Sequence, residues 1–129
     1  MNIKKKHFKK VDAPYLKYPL EKKYTLVLDL DETLICFKFK SNDENSGTLF
    51  LRPGLFSFLK ELKMYYELVS FTSATKEYAK PILSDIESKE KYFDYKLYRE
   101  HAVLIGKDFV KDISRIGREI IKDCYCTWR

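Results

Sequence analysis

Residues 25–35 read Thr-Leu-Val-Leu-Asp-Leu-Asp-Glu-Thr-Leu-Ile. An apolar run of β-type residues, Leu26-Val27-Leu28, delivers two aspartates, Asp29 and Asp31, with Thr33 two places further on. Alternation along an extended chain puts Asp29 and Asp31 on the same side. Two like charges at the end of an apolar strand repel, and one tends to hold its proton unless a cation intervenes. Stability gains nothing from that placement. A site that holds a divalent metal and needs both a carboxylate nucleophile and a carboxyl acid would use it. The competing reading is local: a strand ends, and Asp, Glu and Thr serve as turn formers.

Working outward, residues 11–24 form a lead-in segment in which Pro14 and Pro19 oppose helix. The first strand covers about 25–30. Residues 35–40 alternate apolar and polar, 48–51 is a second apolar run, and Ser41 to Gly47 between them is polar and turn-like. A hairpin or flap beside the aspartates is expected. Pro53 stands where a helix begins. Leu55, Phe58, Leu59 and Leu62 repeat at the spacing of a buried helix face. Tyr66 to Phe71 reads as a strand ending at Thr72-Ser73, and Thr75 to Ile86 as a helix that Pro81 bends or interrupts. Residues 95–98 and 101–105 are short strand candidates, Gly106-Lys107-Asp108 is a turn, and Lys111 to Ile121 is expected to be helical though weakened by Gly117.

Strand, helix, strand, helix implies parallel strands with right-handed crossovers. Sites on such sheets lie beyond the carboxyl ends of the strands. Asp29, Asp31 and Thr72 all fall at such ends, which groups them independently of the aspartate spacing.

The 129 residues suffice for one domain with a core, and 45% hydrophobic and 16% aromatic content fits a globular chain. No run approaches the roughly 18–20 apolar residues of a membrane span. Charge follows Met1 directly, so no secretory signal is read. Cys36, Cys124 and Cys126 make neither a disulfide nor a zinc framework, which fits a reducing compartment, nucleus or cytoplasm. Of the net charge of +6, Lys4, Lys5, Lys6, Lys9 and Lys10 supply five, so the basicity belongs to a tail and the domain is nearly neutral. The tail suits a nuclear-import signal, an anchor for acidic partners or a solvated terminus. A near-neutral domain argues against direct nucleic-acid binding.

Asp-x-Asp-x-Thr after an apolar strand resembles the first motif of the haloacid-dehalogenase superfamily. The fuller Leu-Asp-Leu-Asp-Glu-Thr-Leu resembles its branch of small RNA-polymerase carboxy-terminal-domain phosphatases and NLI-interacting-factor-like proteins. Phe-Thr-Ser-Ala-Thr-Lys-Glu-Tyr-Ala around Thr72 resembles the second motif, and Phe-Val-Lys-Asp-Ile-Ser-Arg-Ile-Gly-Arg around Lys111 the third. The resemblance spans about residues 22–121. It implies an α/β fold, a Rossmann-like parallel sheet with a short flap hairpin. The basic tail and lead-in occupy 1–21 and the phosphatase-like domain 22–129. It also implies a Mg²⁺-dependent phosphatase acting on phosphoserine or phosphothreonine in a protein or peptide.

The resemblance makes Asp29 the nucleophile, Asp31 the general acid and base, and both of them metal ligands. Thr72 would bind a phosphate oxygen, and Lys111 would neutralise charge on nucleophile and phosphate. Arg99, in Leu-Tyr-Arg-Glu-His, matches a recurrent position that could meet a substrate phosphate; Thr33 is placed at the substrate end of the turn, which it should stabilise. Without the resemblance, Thr72, Ser73 or Thr75 would each serve as a helix cap. His101 is assigned no role.

The family's fourth motif, an acidic pair after a further apolar strand, is expected after Arg115 to Ile121. The sequence there reads Lys-Asp-Cys-Tyr-Cys-Thr-Trp-Arg, with Thr127-Trp128 in the acidic positions. The last core strand is therefore expected to be missing and the domain cut short after about Ile121. Codons for Lys122 to Cys126 read one base on can encode an apolar strand, so a shifted frame or mis-set gene boundary is expected there. Loss of that carboxylate weakens the metal site. It opens a second reading, a phosphatase-like fold that docks peptides without turnover, a use known in a mitochondrial translocase subunit of the same family.

Overall fold

The computed structural model describes residues 10–119 and 124–126. Four parallel strands form the central sheet in the order β5-β4-β1-β8. Strand β1 is Tyr24–Leu28, β4 Tyr66–Phe71, β5 Tyr95–Leu97 and β8 Cys124–Cys126. Both faces of β1 and β4 are covered, which is why Leu26-Val27-Leu28 and Leu68-Val69 are consecutive apolar residues rather than alternating ones. Leu26, Leu28 and Leu68 face a core built with helices α1 (Leu55–Leu62) and α2 (Lys76–Ile86). Val27, Val69 and Phe71 face a second core closed by Tyr15, Leu16, Leu97 and Ile116. The lead-in segment is thus part of the packed unit, with Leu16 buried.

Helix α1 buries Leu55 and Leu59, with Leu62 partly covered. Phe58, expected on this face, is instead 43% exposed. At 100° per residue it falls on the flank of the Leu55–Leu59–Leu62 stripe. Helix α2 runs through Pro81, whose ring lies on its exposed face.

Strands β2 (Ile35–Lys40) and β3 (Asp43–Leu51) make the expected flap hairpin, although the turn is shorter than its polar sequence indicated. Pairing continues to Asp43 across a bulge at Phe39/Lys40. Gly47 permits it: a Cβ there would stand 2.5 Å from the Lys38 carbonyl oxygen. A second hairpin, β6 (Val103–Ile105) and β7 (Asp108–Val110), leads into Lys111.

The helix expected over 111–121 does not form in its described part. The chain makes one short 3-10 turn, Ile113–Arg115, after Asp112, whose carboxylate accepts the Ser114 N–H at 3.0 Å. That local cap offers the backbone an alternative to helix. Gly117 then adopts φ +91°, with a built Cβ only 2.7 Å from Pro14 Cβ. Gly117→Ala is expected to destabilise by about 1–2 kcal/mol or more, since it adds left-handed strain to a clash. A denaturation midpoint equal to wild type would show that Pro14 yields at no cost.

A strand also stands where none was legible. Cys124–Cys126 pairs in parallel with β1, in the register Thr25↔Cys124 and Val27↔Cys126. At three residues it covers only part of that edge. Residues 1–9, the remainder of the 111–121 helix, and Thr127-Trp128 lie outside the described residues.

Candidate active site

Asp29 follows β1 directly and begins a tight loop. Leu30 N–H donates to Asp29 Oδ1 at 2.8 Å. The Leu30 carbonyl then accepts from the amides of Thr33, Leu34 and Ile35. Glu32 closes the loop in the left-handed region, φ 59°, donating to the Ile35 carbonyl at 2.7 Å. Three amides on one carbonyl force a sharp reversal, which holds the aspartates at the strand end while the chain departs into the flap.

Two contacts define the site. Lys111 Nζ lies 2.8 Å from Asp29 Oδ1 and also donates to the Phe71 carbonyl at 3.3 Å. One ammonium therefore bridges the ends of β1 and β4. Asp31 is held by two hydroxyls: Thr72 Oγ1 at 3.3 Å from Oδ2, and Tyr78 OH at 3.0 Å from Oδ1. Thr72 is buried, and its Oγ1 also accepts the Ala74 N–H at 3.0 Å. That contact turns the chain from β4 towards α2. Thr75, the residue before α2, makes no side-chain cap bond.

Hydroxyls suit a carboxyl group in either protonation state. Each can donate to a carboxylate or accept from a carboxylic acid, so both contacts persist as the proton comes and goes. Burial, and then the bond to Asp31, push the Tyr78 phenol up to about 12, which keeps its proton in place at any working pH. The Tyr78 ring also meets Phe37 of the flap edge-on at 6.5 Å. Sequence reading missed Tyr78, since a tyrosine in the first turn of a helix reads as packing. The usable signal is that such side chains lean back over the helix start, here towards Thr72. Tyr78→Phe is expected to lower kcat about tenfold, the worth of one hydrogen bond to a charged group. An unchanged kcat would show that Asp31 is held without it.

The other candidates divide. Thr33 sits in the loop, and its carbonyl accepts from Arg52 Nε. Arg99 stands at the end of β5, donating from Nε to the Ser73 carbonyl at 2.7 Å, with its guanidinium 4.6 Å above the Phe109 ring. It is thus held beside the loop that follows Thr72. His101 is structural: Nδ1 accepts the Tyr98 N–H at 3.0 Å, its ring packs on Tyr15, and burial lowers its basicity. A cavity of about 270 Å³ opens between the loop and the flap, lined by Thr33, Cys36, Phe50 and Arg52 among others.

Asp29 and Asp31 supply two carboxylates at one strand end. Two such donors fit Mg²⁺, which binds through one or two carboxylates and completes its shell with water and phosphate oxygen. Among the described residues no three His, Cys, Asp or Glu side chains gather to hold an ion by themselves.

Comparison with known proteins gives concordant results. The family of NLI interacting factor-like phosphatases matches residues 24–124. Nuclear envelope morphology protein 1 of Schizosaccharomyces pombe is 36% identical over 120 residues, covering 81% of this chain and 25% of that protein. The CTD small phosphatase-like protein of Homo sapiens is 36% identical over 113 residues, covering 78% of this chain and 41% of the relative. Among solved structures, Fcp1, an essential RNA polymerase II CTD phosphatase, superposes with a TM-score of 0.54 at 25% identity. That match covers 64% of this chain and 31% of Fcp1. The chain spans a quarter to two-fifths of these proteins' lengths.

Proposed function

This chain belongs to the NLI interacting factor-like phosphatase family, and on that premise we propose that it hydrolyses phosphoserine and phosphothreonine esters in proteins through an aspartyl-phosphate, with Mg²⁺. The observation that carries the reading is the pairing of Asp29 with Lys111 beside an Asp31 held by two hydroxyls.

In this mechanism an Asp29 carboxylate oxygen attacks phosphorus, and the bond from phosphorus to the serine or threonine oxygen breaks. That oxygen leaves with the proton of Asp31. Asp31, now a carboxylate, takes a proton from water as the water oxygen attacks phosphorus. Asp29 is released and inorganic phosphate departs. Lys111 offsets the meeting of two anions, and Thr72 donates to a phosphate oxygen. Asp29 through its carboxylate and Asp31 through its main-chain carbonyl would hold Mg²⁺, which would supply positive charge to the phosphoryl oxygens and leave the Asp31 carboxyl free to carry its proton. Arg99 and Thr33 border the same strand ends and would contact the substrate.

The names of the relatives make the RNA polymerase II carboxy-terminal domain the first protein substrate to test. One of them, nuclear envelope morphology protein 1, supports action in or near the nucleus. No helix among the described residues is long and apolar enough to cross a membrane. A second reading is docking of peptides without turnover; it is supported by there being, among the described residues, no group of three His, Cys, Asp or Glu side chains placed to hold a metal.

One experiment separates the two. The purified chain, with Mg²⁺ or with chelator, is given an aryl phosphate and a phosphoserine peptide. Phosphate release that needs Mg²⁺ supports hydrolysis. A folded chain that binds the peptide and releases nothing supports docking.

A further inference from the structure

Segment 111–118 bears Lys111 yet has only the single 3-10 turn Ile113–Arg115, and no α-helix, to stiffen it. It lies along the face of the sheet that carries Val27 and Val69, with Ile116 fully buried against them. The lead-in segment clamps its middle: Leu16 N–H donates to the Ile116 carbonyl at 2.9 Å, and Arg115 Nε to Tyr15 OH at 3.0 Å. The far end is fastened by a buried fork. Arg118 Nε and Nη2 reach the two Glu67 carboxylate oxygens at 2.9 and 2.7 Å, with the side chains 7% and 8% exposed. Nη2 also donates to the Tyr18 carbonyl at 2.9 Å, and Thr25 Oγ1 to Glu67 Oε2 at 2.7 Å.

The two fastenings correspond. Thr25 and Glu67 are register partners on β1 and β4. Asp29 and Phe71 stand four residues further along the same two strands, about 13 Å away. Lys111 bridges those strands at the active end; at the opposite end Arg118 is fixed to Glu67 of β4, whose carboxylate also accepts from Thr25 of β1. The segment between is a strap pinned at both ends by a cation. Stability does not demand this design, because an apolar pair in place of a buried ion pair is often at least as stable. A bidentate fork fixes direction and distance as well as contact.

We propose that Arg118, locked onto Glu67, is a positioning residue for Lys111: it sets the length and path of the strap so that the ammonium arrives between Asp29 and Phe71. The proposal rests on the phosphatase reading for its kinetic consequence, but not for its structural one.

The test replaces the fork by apolar groups, Glu67→Leu with Arg118→Met and Thr25→Val, since Arg118→Ala alone would strand a buried carboxylate and Glu67→Leu alone the buried Thr25 hydroxyl. The variant is expected to melt near wild type. Without substrate, the amide resonances of Lys111 to Ile113 are expected to move. With substrate, kcat should fall ten- to a hundredfold, as expected for about 1 Å of misplacement, with KM little changed. In a Lys111→Met background the same replacement should cost nothing further, whereas a merely structural defect would multiply. If the apolar variant does not fold, Arg118→Lys, which keeps charge but loses the fork, is expected to move the same resonances. Unmoved resonances in a folded variant, or a cost that multiplies in the Lys111→Met background, overturn the proposal. A folded wild-type chain without turnover refutes the phosphatase reading and leaves the resonances to decide this one.

Discussion

Asp29→Asn is expected to lower kcat/KM on an aryl phosphate by about four orders of magnitude or more, the scale of removing a nucleophile. The fold should survive. The amide oxygen of asparagine can still accept the Leu30 N–H, so the loop that begins at Leu30 keeps its first bond. The ion pair with Lys111 is lost, but at 28% and 20% side-chain exposure water replaces much of it. Lys111 keeps the Phe71 carbonyl. A near-normal melting temperature with activity at background therefore isolates chemistry from stability. Residual activity above about one part in a hundred would mean that water attacks phosphorus directly, with Asp31 as its base. The aspartyl-phosphate would then be wrong while the phosphatase assignment stood.

What the sequence made legible follows from what each element buries. Leu26 to Leu28 and Leu68-Val69 are packed on both faces, so these apolar stretches admit one reading, and the strand ends they lead to carry Asp29 and Thr72. Helix α1 was legible from Leu55, Leu59 and Leu62 alone; adding Phe58 overestimated the width of its buried stripe. The Lys111 segment was misread because it contains a plausible helical spacing. Its fate is decided by Asp112 capping a single turn and by Gly117 crossing into left-handed backbone against Pro14, a residue about a hundred places away. No local pattern encodes that contact.

The same limit applies within the site. Asp29, Asp31 and Lys111 came from motif chemistry. The partners that hold them came only from the fold: Tyr78 on Asp31, and Glu67 with Arg118, separated by 51 residues. Side chains that react are constrained in type by the reaction, so they are recognisable one at a time. Side chains that position others are constrained by distance, and distance is set by the folded chain.

Lys111→Met is the second large effect expected, a loss of about 10²–10³ in kcat/KM, comparable to removing one preorganised charge-stabilising donor. The proposed attack brings a carboxylate to a phosphoryl group that is itself anionic. At about 4 Å and an effective dielectric near 20, two unit charges repel by roughly 4 kcal/mol. An ammonium 2.8 Å from Asp29 Oδ1 offsets much of that where the charges meet. Methionine keeps most of the stem packing and removes the charge, so a normal melting temperature is expected. Lys111→Arg should recover only part of the rate. Its planar fork does not reproduce a compact cation shared between Asp29 and the Phe71 carbonyl. A small alkylammonium ion added to the Met variant should restore some activity, whereas an equal concentration of sodium should not. If neither ion helps and Lys111→Arg is as slow as the Met variant, the lysine acts by holding the ends of β1 and β4 together. Charge would then have to come from elsewhere, with Arg99 at the end of β5 the first group to substitute.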